Sequence, residues 1–133
     1  MGLYQILKKV DIFIYQVGKY LFTAMKFEFA NNHLEKLCEK ENYAVKKIGK
    51  ACTQKLFARM ADIRAATKVK ELIVGDPHPL TGKRKGQFSV AIGEGNCIIF
   101  IPTNNPTPLI GKDKIDWPLV TKIKIIEIGD YHD

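Results

Sequence analysis

Residues 88–101 read FSVAIGEGNCIIFI. Phe88, Val90 and Ile92 occupy alternate positions, as a strand with one buried face requires. Gly93, Glu94, Gly95 and Asn96 then supply the residues of a tight hairpin turn. Residues 97–101 (CIIFI) are apolar throughout, the pattern of a central strand. Two strands joined by GEGN form the expected centre of the fold, and the rest of the chain is assigned outward from them.

Downstream, residues 102–118 are rich in Pro and Asn and read as a long loop holding the lone Trp117. Ile123, Ile125 and Ile128 mark a last strand. Upstream, residues 75–86 are loop, punctuated by Pro77, Pro79 and Gly82. Before that loop, Val45, Ile48, Cys52, Leu56, Met60 and Ile63 recur every three or four residues. That is one face of a helix over 44–66. An earlier, shorter helix carries Leu34, Leu37 and Cys38, with Asn31 or Asn32 as cap, Glu35 in support and Asn42 at its end. Phe27 and Phe29 alternate with Lys26 and Glu28 as a first strand. The order β-α-α-β-β-β predicts an α+β fold: two N-terminal helices packed on one face of a small antiparallel sheet.

Residues 1–24, MGLYQILKKVDIFIYQVGKYLFTA, stand apart. Asp11, Gln16 and Lys19 interrupt their apolar run. It is too short and too charged to span a membrane and lacks a signal-peptide cleavage site. Ile6, Val10, Phe13, Ile14 and Val17 have helical spacing. Two readings remain open: an amphipathic helix, or an extension preceding a true start at Met25. The working domain is assigned to 25–133.

The 133 residues suffice for one domain, and a net charge of +7 fits a nucleic-acid, nucleoprotein or acidic protein partner. Three cysteines, none in a CxxC pair, argue against a disulfide scaffold and a zinc site, and point to a reducing cytoplasm. Cys38 and Cys52 read as small core residues. The sequence holds no phosphate-binding glycine loop, no GxSxG and no HExxH.

What can do chemistry is a set of cations and rings at strand ends. HPLTGKRKGQF, residues 78–88, places Lys83, Arg84 and Lys85 in a turn beside His78, and Tyr131 and His132 follow the last strand. A solvated hairpin loop is the plain reading of the triplet; an anion site for phosphate is the chemical one. RNA cleavage by its own 2′-hydroxyl uses such groups. It needs a proton acceptor, a cation on the phosphorane and an acid for the leaving 5′-oxygen, and it needs no metal or cofactor.

HPLTGKRKGQFSV and EIGDYH, taken with this order of elements, resemble the HigB branch of the RelE/ParE toxin superfamily of type II toxin–antitoxin modules. The resemblance spans Met25 to His132. It implies a RelE-like fold and a metal-independent endoribonuclease that cuts mRNA on the ribosome and inhibits translation. It also implies a HigA-like antitoxin as partner, alongside ribosome and mRNA, with no membrane. By position, Lys83, Arg84 and Lys85 fall on the phosphate-binding loop, and His78, Tyr131 and His132 on catalytic places. One departure stands out: where the family has an arginine after the hairpin, this chain has Cys97. A weakened relative that binds antitoxin or ribosome without cutting is the first alternative. A ParE-like gyrase inhibitor is the second.

Overall fold

The computed structural model describes residues 14–17 and 20–130. Strands β1 (Ile14–Val17) and β2 (Tyr20–Thr23) pair antiparallel. The helix considered for 6–17 is therefore replaced by strand at its C-terminal end; its remainder lies outside the described residues. Strand β3 (Lys26–Phe29) leads to helices α1 (Asn32–Glu39), α2 (Glu41–Ile48) and α3 (Lys50–Ala65). Then come β4 (His78–Pro79), β5 (Phe88–Gly93), β6 (Asn96–Pro102), the small pair β7 (Leu109–Ile110) and β8 (Lys114–Ile115), and β9 (Lys122–Asp130).

The hairpin forms where the residues call for it. Gly93 pairs with Asn96, and the two residues between, Glu94 at φ 53° and Gly95 at φ 81°, both lie at positive φ. That is the twist of the two-residue turn that closes antiparallel strands.

The helical region differs from expectation in its breaks. Asn31 caps α1, its side-chain oxygen accepting from Leu34 N–H at 3.0 Å. Lys40, extended at φ −120°, separates α1 from α2, so Asn42 lies inside α2 and does not end α1. Gly49 at φ 84° then divides the helix expected over 44–66 into α2 and α3. Glycine enters that region without the Cβ clash other residues meet. The domain thus holds three helices among its described residues, not two.

The main sheet has the order β3-β9-β6-β5-β4. Its interior pairs are antiparallel, but β3 runs parallel to β9, with Phe27 opposite Ile123 and Phe29 opposite Ile125. The sheet is therefore mixed, which corrects the antiparallel expectation. Parallel neighbours need a crossover, and α1 to α3 begin it. The expected 102–118 loop contains β7, β8 and a single-turn helix at Trp117–Leu119.

One face of the sheet packs on the helices. Val90, Ile92, Ile98, Phe100, Ile123 and Ile125 meet Leu34, Leu37, Cys38, Leu56, Met60 and Ile63 in one buried cluster. Cys52 packs at its margin, half-buried. Phe88 stacks on Phe100 at 5.1 Å between ring centroids, and Trp117 lies 4.9 Å from Phe88, closing the loop-side end of the core. Such aromatic pairs add about 0.5–1.5 kcal/mol each beyond the area they bury. Ile73, Val74, Leu109, Ile110 and Leu119 remain exposed. The two chain segments carrying them meet where Val69–Glu71 packs on Trp117–Leu119.

Candidate functional site

The sheet face turned away from the helices carries the polar chemistry. Alternation on β6 sends Ile98 and Phe100 into the core, so Cys97, Ile99 and Ile101 take the opposite face. The register sets a row across four strands: Glu127 opposite Ile99, Ile99 opposite Ser89, Ser89 opposite His78. The middle of the row is closed, Ser89 being 1% and Ile99 0% exposed. Its two polar ends, Glu127 and His78, are accessible.

The loop between β4 and β5 is built by its own backbone. Leu80 N–H donates to the Gln87 carbonyl at 2.8 Å, and Arg84 N–H to that of Thr81 at 3.1 Å. Gln87 N–H donates to the carbonyl of Arg84 at 3.0 Å. This winding divides the basic triplet. Lys83 is exposed at the tip, and Lys85 is exposed with Nζ 3.6 Å from Asp113 Oδ2. Arg84 turns back over the sheet. Its Nη1 donates to Glu127 Oε1 at 3.2 Å and to Gln87 Oε1 at 3.0 Å, and its Nη2 to Glu127 Oε2 at 3.4 Å. A guanidinium takes a phosphate with this same two-pronged geometry.

His78 begins the loop on the short edge strand. Its Nδ1 lies 2.7 Å from the carbonyl oxygen of Asp76 and 3.6 Å from that residue's carboxylate. A carbonyl can only accept, so Nδ1 carries the proton, and in the neutral ring Nε2 holds the lone pair. His78 is thus oriented as a proton acceptor, about 14 Å of backbone from Glu127, three strand spacings along the row. Tyr131 and His132 lie outside the described residues. The strand before them in the chain, β9, lies between β3 and β6 and ends at Asp130.

Two groups on this face were absent from the expected site. Glu127 and Gln87 hold Arg84, and Lys26, Lys122 and Lys124 extend positive charge along the β3–β9 side. The sequence signal for Glu127 is the spacing Ile123, Ile125, Ile128, which skips one residue. A bulge in β9 opposite Ile99 and Phe100 accounts for it. Without that extra residue Glu127 would face the core.

The thiols differ sharply in environment. Burial pushes Cys38 up to about 12, with Arg64 opposing and Glu39 adding to the rise. Cys52 is also raised, chiefly by burial and then by Glu94. Among the described residues no three His, Cys, Asp or Glu side chains cluster as a metal site, and no helix is long and apolar enough to cross a membrane.

No protein-family model matches the sequence, and no curated protein does. Solved structures do. A YoeB/ParE toxin from Agrobacterium tumefaciens matches with TM-score 0.51 at 12% identity, over 81% of this chain and all of that one (100%). The YoeB–YefM complex from Staphylococcus aureus matches at 0.47 and 16% identity, over 82% of this chain and 98% of that one. The YoeB dimer from the same organism matches at 0.48 and 15%, with the same coverage. At such identities the first likeness establishes a shared α+β fold.

Proposed function

We propose that this chain is the toxin of a type II toxin–antitoxin module, a HigB-like member of the RelE/ParE superfamily. It acts in the cytoplasm as a metal-independent, ribosome-dependent mRNA endoribonuclease, and a HigA-like antitoxin neutralises it. The fold shared with a YoeB/ParE toxin supports the superfamily. The HPLTGKRKGQ loop and the DYH end support the HigB branch. The observation that carries the reading is Arg84. The loop's central cation lies across the sheet face with its fork engaged by a carboxylate, the geometry it would offer a phosphate.

In this reading Arg84 holds the scissile phosphate and Lys83 and Lys85 hold neighbouring phosphates. His132, with His78 or Tyr131, moves protons. A second reading, binding without cutting, is favoured by Cys97, which cannot supply the fixed charge of an arginine.

Incubation with translating ribosomes, then mapping of mRNA ends, tests both. Cleavage should leave a 2′,3′-cyclic phosphate or its hydrolysis product and persist in chelator. A 5′-phosphate end or a magnesium requirement would reject the mechanism. Ribosome binding without new ends would favour the second reading. Inhibition of gyrase supercoiling with intact mRNA would make the chain ParE-like. Arg84→Ala should relieve growth inhibition far more than Lys50→Ala, with folding intact.

A further inference from the structure

We infer that Glu127 is the general base of the site and that Arg84 exchanges it for the scissile phosphate when RNA binds. This rests on the ribonuclease reading above and adds to it a residue and a step.

The geometry points there first. Arg84 is 19% exposed and Glu127 39%, so the guanidinium is held down while the carboxylate keeps an open side. Their contacts, 3.2 and 3.4 Å, are longer than the roughly 2.7–2.9 Å of tight charge-assisted bonds. The free protein thus holds its phosphate fork occupied but loosely. Gln87 gives Arg84 a second anchor at 3.0 Å, independent of Glu127, so the guanidinium keeps its place when the carboxylate leaves.

The chemistry follows. A phosphodiester carries one negative charge and two free oxygens, as does the carboxylate it would replace. Once displaced, Glu127 remains beside the phosphate on a central strand, with the closed Ile99–Ser89 floor next to it. Its carboxylate takes the proton of the adjacent 2′-hydroxyl. The 2′-oxygen forms its bond to phosphorus, and the bond to the 5′-oxygen breaks. That oxygen receives a proton from an acid of the site, giving a cyclic phosphate and a 5′-hydroxyl. Arg84 meets the charge on the phosphorane oxygens. His78, at the far end of the row, is too distant to share the same hydroxyl from its present position.

Arg84 from the loop meets Glu127, and by register Cys97 on β6 and Lys124 on β9, with Glu28 opposite Lys124 on β3, are the titratable groups that flank it on this face.

The test uses the full chain on translating ribosomes, with single-turnover cleavage measured against pH and binding measured on mRNA carrying 2′-O-methyl groups. Parent cleavage is the control for the functional reading: without it that reading fails, and this inference with it. With parent cleavage present, Glu127→Gln should keep its melting temperature and binding. It should lose about 10²–10⁴-fold in rate, the usual worth of a general base. It should also lose the acid limb of the pH profile, which Glu127→Asp should retain at reduced rate. Unchanged cleavage by Glu127→Gln, or a slow variant that keeps the acid limb, would overturn the assignment and leave Glu127 a clamp for Arg84.

Discussion

Cys97 stands between Ala91 on β5 and Gly129 on β9, half-exposed on the face away from the helices. Both cross-strand neighbours are small, so a long side chain has room to lie flat over them. Cys97→Arg should therefore fold with little change in melting temperature and should raise single-turnover cleavage. A stable variant with unchanged cleavage would mean that the lack of an arginine at this position is not what limits this chain. Had the side chain faced the helices, the substitution would have buried an unpaired charge. Cys38 is the opposite case. Its thiol keeps its proton in the folded state up to about pH 12 but loses it near 9.0 once unfolded. Below 9.0 the two states hold the same proton; above it the unfolded state sheds one that the folded state keeps. Stability should thus fall as pH rises from 9.0 towards 12, and Cys38→Ala should flatten that fall in a denaturant titration. Neutral-pH alkylation should reach Cys97 well before Cys38.

Gly49, between α2 and α3, shows what single-residue patterns conceal. The apolar stripe from Val45 to Ile63 runs straight through it, so periodicity reads one helix where the chain makes two. The stripe reports which side faces the core, and both helices face the same core. Only the residue's φ of 84° marks the break, and a glycine is tolerated in either reading. A Cβ there would meet nothing within 4 Å, so Gly49→Ala tests backbone strain alone. It should cost about 1–3 kcal/mol, the usual strain of a non-glycine residue forced to positive φ with extended ψ, here φ 84° and ψ 164°, read as a lower denaturation midpoint with an unchanged m-value. The β5–β6 hairpin was legible because the turn chemistry of GEGN sits between the alternation of Phe88, Val90 and Ile92 and the apolar run of 97–101. The pairing of β3 with β9 was not, because no local signal records which distant strand a strand will join. At the site, the basic loop was legible as a loop. The inward turn of Arg84 was not, because its partner lies 43 residues away.

At the scale of the whole molecule, Met25 is tied into the packed domain. It is 3% exposed, its N–H donates to the Ala66 carbonyl at 2.8 Å, and Lys26 N–H donates to that of Thr121 at 3.0 Å. A chain starting at Met25 should fold with a cooperative melt; loss of that melt would place residues 1–24 in the core. Charge acts at the same scale. Affinity for ribosomes should fall steeply between 50 and 200 mM salt if several Lys and Arg side chains displace counterions from phosphate, at roughly 0.7–0.9 log unit per contact for each tenfold change in salt. A flat salt dependence would leave the net charge of +7 without a role in binding. The place of β9 has a further consequence, in time. It lies between β3 and β6, and of all the strands in the sheet it is synthesised last. Until residues 122–130 emerge, β3 has no sheet to join, β6 has an open edge, and Arg84 has no Glu127. A growing chain can assemble its helices and the β5–β6 hairpin early, because those contacts are local. The sheet closes and the Arg84–Glu127 pair forms in one late event, so an interrupted translation product carries the basic loop without that pair.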